Sequence, residues 1–152
     1  MKFLLALTTL LTAALLLAAA DAGKPQPLYI DHDLAAFRLA KGGLIASAPG
    51  YSVLGSHREK PGQVEVHEKE TDIVYVTDGQ ATFIMGGTMT GGRLTRPGQY
   101  LGEEIRGGQT HYLSKGDVLV IPAGTPHWFS DVQEDLSYTV VRIDPSRVVK
   151  LK

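Results

Sequence analysis

Past residue 43 the chain alternates apolar and polar positions with a period of two, the pattern of half-buried β-strands. Gln63-Val64-Glu65-Val66-His67 alternates strictly, residues 51–55 form a short apolar segment, and residues 73–77 are β-branched and aromatic. Asp78-Gly79 is a turn signal, so residues 73–77 and 81–85 are expected to pair as a hairpin. Residues 86–108 carry many glycines and several arginines and read as a long loop or irregular hairpin. Alternation returns at 109–113. Lys115-Gly116-Asp117 then turns the chain into the apolar run 118–121, and residues 122–126 form another turn. Residues 127–130 and 137–143 read as two further strands. Upstream, residues 31–43 hold a helical pattern: Asp31 or Asp33 as cap, Leu34, Phe37 and Leu39 as a rough apolar stripe, and Gly42-Gly43 as the stop. This helix is expected to pack on the outside of the main fold. Many short strands punctuated by turns predict an all-β sandwich or barrel with one short N-terminal helix.

The N-terminus stands apart. Met1-Lys2 precedes an uncharged Leu- and Ala-rich run over residues 3–20, and Ala20-Asp21-Ala22 fits a small-residue cleavage site before Gly23. Residues 1–22 therefore read as a signal peptide, residues 23–44 as a linker with the short helix, and residues 45–152 as one barrel domain. The mature chain is expected in the periplasm or secreted, with no membrane attachment after cleavage. The absence of cysteine suits an oxidising compartment and excludes disulfides, thiolate nucleophiles and Cys-ligated metal sites. A formal net charge of -1 argues against nucleic acid as a partner, because phosphates call for a basic face.

Two segments carry the candidate chemistry. The first runs from Gly62 through Glu65, His67, Lys69 and Asp72 to Gly79; the second contains Gly116, Pro122, Gly124, His127 and Asp131. Together they resemble the two motifs of the cupin superfamily. The second motif matches at Gly116, Pro122, Gly124 and His127, with Asp131 where the family has Asn. In the first, Asp72 stands six residues before Gly79 in place of the family's Glu, which puts Glu65 and His67 in the His-x-His positions. An alternative register places His67 first and Lys69 second. In either register the His-x-His pair is broken. The resemblance implies a double-stranded β-helix, or jelly-roll barrel. It also implies one divalent transition metal ion (Mn, Fe, Zn or Ni), a small-molecule ligand inside the barrel and a homodimer. Cupins include dioxygenases, isomerases, lyases and non-catalytic binding proteins, so the fold alone selects no reaction.

The residues support a site independently. Strand neighbours two apart face the same side, so Glu65 and His67 project together while Val64 and Val66 pack the other way. Asp72 opens the next strand, and His127 opens a strand after a Pro/Gly turn. Glu65, His67, Asp72 and His127 form an N/O donor set suited to a divalent first-row metal. Lys69 is unsuited, since an ammonium has no lone pair. His111, which either supports the site or substrate or faces solvent, and Tyr75, Phe83 and Trp128, as barrel core or pocket wall, are the candidate substrate contacts. Trp128 and Phe129 are adjacent and cannot both face inward on a regular strand. His32 and His57 lie outside both motifs and read as surface residues. Two readings stay open: a metal-dependent enzyme acting on a small organic ligand, and a degenerate, non-catalytic module that binds a sugar-like molecule or serves a structural role.

Overall fold

A computed structural model describes residues 26–144 and Ser146; the signal-peptide reading of residues 1–22 falls outside them. The described chain runs α1 (His32–Lys41), β1 (Gly43–Ala48), β2 (Tyr51–Arg58), β3 (Val64–His67), β4 (Thr71–Met85), β5 (Thr88–Thr90), β6 (Arg93–Arg96), β7 (Gln99–Gly102), β8 (Glu104–Arg106), β9 (Gln109–Ser114), β10 (Val118–Ile121) and β11 (His127–Ile143). Among the described residues no helix is long and apolar enough to cross a membrane. Asp31 caps α1, its carboxylate accepting the Leu34 N–H at 2.8 Å, and Gly42 takes the positive φ that ends the helix. The helix lies outside the sheet, where backbone atoms of Arg38 approach so closely that a Cβ on Gly55 would stand 2.5 Å from them.

The long strands β4 and β11 pair antiparallel along most of their lengths and form the spine of the curled sheet. Strand β11 also pairs with β2 and, through His127 opposite Glu65, with β3. Strand β3 continues through β7 to β6, while β9 and β10 flank the two halves of β4. Strands β5 and β8 form a separate pair around the β6–β7 pair, so of the long loop or irregular hairpin expected over this glycine-rich stretch it is the hairpin that forms, with four short strands.

The hairpin expected at Asp78-Gly79 does not exist; β4 runs straight through it. The buried positions explain why the pattern misled. They are Asp72, Val74 and Val76 before Gly79 but Ala81 and Phe83 after it, so the inward face switches parity within the strand. Gly79 takes φ 82° where a Cβ would stand 2.1 Å from the Asp135 carbonyl, and the pairing register shifts between Gln133 and Leu136 opposite it. That is a bulge, which mimics a turn in a linear reading. Strand β11 switches face as well, from His127 and Phe129 to Leu136, Tyr138 and Val140, and fuses the two strands expected there. Phe83, Phe129, Leu136, Tyr138, Val76 and Ile121 fill the barrel core.

Candidate functional site

The barrel interior holds a cavity of about 140 Å³ whose wall includes Arg58, Glu65, Asp72, His127, Tyr138 and Arg142. Inward alternation delivers each of them. Leu54, Ser56 and Arg58 come from one face of β2, and Tyr138, Val140 and Arg142 from one face of β11. Glu65 and His67 project from β3, and Asp72 sits directly across from Arg142 in the β4–β11 ladder.

His67 and His127 are both 6% exposed, with ring centroids 5.1 Å apart. Single donor atoms of Glu65, His67 and His127 all lie within 4.8 Å of one another. Glu65 Oε2 stands 3.6 Å from His67 Nε2, a spacing that two ligands of one ion with bonds of roughly 2.1 Å produce at an open angle. The ring of His127 is oriented by the Thr125 carbonyl 3.0 Å from Nδ1. A carbonyl only accepts, so Nδ1 carries the proton and Nε2 keeps its lone pair. Burial drives the pKa of His127 down, with His67 adding to the effect; the Thr125 contact and the carboxylates of Glu65 and Asp72 oppose it. Phe83 stacks on the His127 ring from the core side, with centroids 6.2 Å apart.

Asp72 does not join this group of three. Arg142 holds it in a two-pronged ion pair, Nε donating to Oδ1 at 2.9 Å and Nη2 to Oδ2 at 3.0 Å. Burial alone would raise the Asp72 pKa, but the two hydrogen bonds and the charge of Arg142 outweigh it and hold the carboxyl well below its ordinary 3.8. Arg142 is the firmer partner. Its Nη2 also lies 3.0 Å from His67 Nε2, and a guanidinium has no lone pair, so Nε2 accepts there. Nε2 then has no proton to give Asp72 Oδ2 at 3.4 Å, and the His67 proton falls on Nδ1, which is buried without a hydrogen-bond partner. Arg58 stacks over Phe129 at 4.9 Å, donates from Nε to the Tyr138 hydroxyl at 2.8 Å and approaches Glu65 at 3.4 Å.

Of the residues expected at a substrate, only Phe83 adjoins the site, beneath His127. Tyr75 is 49% exposed on the outer face, because its position on β4 has the parity opposite to Val74 and Val76. Tyr112 on β9 is likewise exposed. Trp128 turns from the cavity and donates to the Gly62 carbonyl at 2.8 Å, while its neighbour Phe129 faces inward. His111 is half-buried opposite Phe83 on β9 and does not line the cavity. The two arginines were missed. The signal for Arg142 was present, since Leu136, Tyr138, Val140 and Arg142 share one strand face.

The two buried groups give stability a definite pH dependence. Asp72 has a depressed folded pKa, so its stabilisation of about 2 kcal/mol is present above its ordinary value of 3.8 and is lost as pH falls toward about 2. His127 also has a depressed folded pKa. The unfolded chain therefore binds its proton first, and stability begins to fall below the ordinary value of 6.5. Denaturant midpoints measured from pH 8 down to about 2 should decline through both windows. In Asp72→Asn the lower decline should be reduced.

Comparison with known proteins agrees with this architecture. The sequence profile of the cupin family matches residues 56–151. The crystal structure of BH2720 from Bacillus halodurans superposes with a TM-score of 0.58 at 16% identity, covering 81% of this chain and 85% of that one. Protein NMB1881 from Neisseria meningitidis superposes with a TM-score of 0.53 at 11% identity, covering 76% and 99%. At these identities the likeness is one of fold. No curated protein matches.

Proposed function

The chain belongs to the cupin family, and on that premise we propose that its barrel holds one divalent transition metal ion, of the Mn, Fe, Zn or Ni class, on Glu65, His67 and His127. A small organic ligand would occupy the cavity beside it. The observation that carries this reading is the convergence of three N/O donors within 4.8 Å, two of which, Glu65 and His127, line an interior cavity. Two imidazoles and one carboxylate are a donor set that leaves positions open to a ligand. A bound ion there would supply Lewis-acid charge to a ligand oxygen.

The chain's own residues do the rest. Thr125 fixes the His127 tautomer, and Arg58 steadies Glu65 from the side away from His67. Phe83 and Phe129 close the core side against water. A cavity of about 140 Å³ suits a ligand near the size of benzene, which a void of roughly 150 Å³ admits. The N-terminal segment supports export, with the ligand met in the periplasm or outside the cell.

A second reading has its own observation. The Arg142 guanidinium touches His67 Nε2, which favours a metal-free binding module. Melting experiments separate the two. Metal bound to the native state alone stabilises by about 2.7 kcal/mol at a hundredfold excess over Kd, several degrees for a domain of this size. A chelator should therefore lower the melting temperature and added Mn²⁺, Zn²⁺ or Ni²⁺ restore it. His127→Ala should be indifferent to both, and His57→Ala, outside the site, should respond as wild type does. Identical melting of wild type with and without metal would favour the second reading.

A further inference from the structure

Arg142 stands where the two readings meet, and it lines two cavities. One is the interior cavity; the other is a crevice of about 180 Å³ bounded by Gly50, Tyr51, Ser52, Glu70 and Asp144. From the wall between them its guanidinium reaches Asp72 and His67, two of the four donors the sequence marks for a metal. We infer that Arg142 is a resident cation that competes with metal: it occupies His67 Nε2 and withholds Asp72, so the site exists in a guanidinium-filled and a metal-filled form that exclude one another.

The exclusion follows from charge and from lone pairs. His67 Nε2 has one lone pair, and Nη2 at 3.0 Å already takes it. A divalent ion on the same nitrogen would also face the guanidinium charge at contact distance, in a buried setting where solvent screens little. Both Asp72 oxygens accept from Arg142, so while the ion pair holds the carboxylate's charge is already compensated and its two oxygens are oriented to the guanidinium. A second resting place for the guanidinium is at hand. Glu70 Oε2 lies 3.7 Å from Arg142 Nε on the crevice side and is held there by Gln99, whose amide donates to it at 2.6 Å. A swing from His67 toward Glu70 would free Nε2 without leaving the arginine unpaired. Affinity for metal is thereby set below what the donors alone would give, and loss of Arg142 adds Asp72 as a fourth donor.

This inference rests on the metal-binding reading above, and calorimetric titration with Mn²⁺ and Zn²⁺ separates the two. Arg142→Gln should bind at least about tenfold more tightly than wild type. Arg142→Gln combined with Asp72→Asn leaves no buried charge unpaired and serves if the single variant folds poorly. It should also bind more tightly than wild type, but less tightly than the single variant, having only three donors. Wild type and both variants binding with equal affinity would overturn the competition and leave the metal site standing. Binding by the variants with none by wild type would support the competition and remove metal from the native function. No binding by any of the three would overturn both.

Discussion

Replacing Phe83 with alanine is expected to destabilise the protein by about 3–5 kcal/mol, the range for deleting a buried aromatic from a core that relaxes only partly. Phe83 is fully buried, meets Phe129 edge-on with centroids 4.7 Å apart, and supports the His127 ring. For a domain of this size the loss corresponds to a fall in melting temperature on the order of 10–20 °C. The variant should also weaken the metal response, because His127 loses the surface that fixes its ring. Phe83→Leu, closer in volume, should recover much of the stability. Thermal melts of the two variants with and without metal measure both effects.

Arg142→Met should cost about as much for a different reason. It leaves the Asp72 carboxylate, 4% exposed, without the guanidinium that compensates it, and breaking a buried pair from one side costs about 3–5 kcal/mol. Converting Asp72 to Leu in the same chain removes the uncompensated charge. The double variant should therefore lie within about 1–2 kcal/mol of wild type, since apolar replacement of a whole buried pair is often nearly neutral. Denaturant unfolding of the four species closes the cycle. Additive losses would mean that the pair at 2.9 and 3.0 Å contributes little as a pair. The unfolding is to be run with chelator present, so that any gain in metal binding by Arg142→Met does not mask the loss.

How far the sequence could be read follows from the strands themselves. Where alternation is unbroken, as at Val64–His67, position and inward face were both legible; at Val118–Ile121, apolar throughout, only the position was. The same regularity brought Glu65 and His67 to one side and, with the second motif, His127 against them. The reading failed where a strand changes face. The bulge at Gly79 looks like a turn because glycine serves both purposes, and the pairing that keeps β4 continuous comes from β11, more than fifty residues away. The four short strands within residues 86–108 pair with one another, β5 with β8 and β6 with β7, and β7 also pairs with β3; their glycines and arginines leave little apolar alternation from which to read them. Asp72 was legible as an inward carboxylate but not as an engaged one, because the β4–β11 register that sets Arg142 across from it joins positions 70 residues apart. Tyr75 was assigned inward on its aromatic character alone, against the parity that its neighbours Val74 and Val76 set.

The central claim is that Glu65, His67 and His127 form a metal site, and equilibrium titration of the tag-free protein with Mn²⁺, Fe²⁺, Zn²⁺ and Ni²⁺ tests it most directly. The account predicts saturable binding of one ion per chain by at least one of these metals. That binding should be lost in His127→Ala and in Glu65→Gln and kept in His57→Ala. Absence of saturable binding in the wild type, or binding that persists unchanged in His127→Ala, would contradict it.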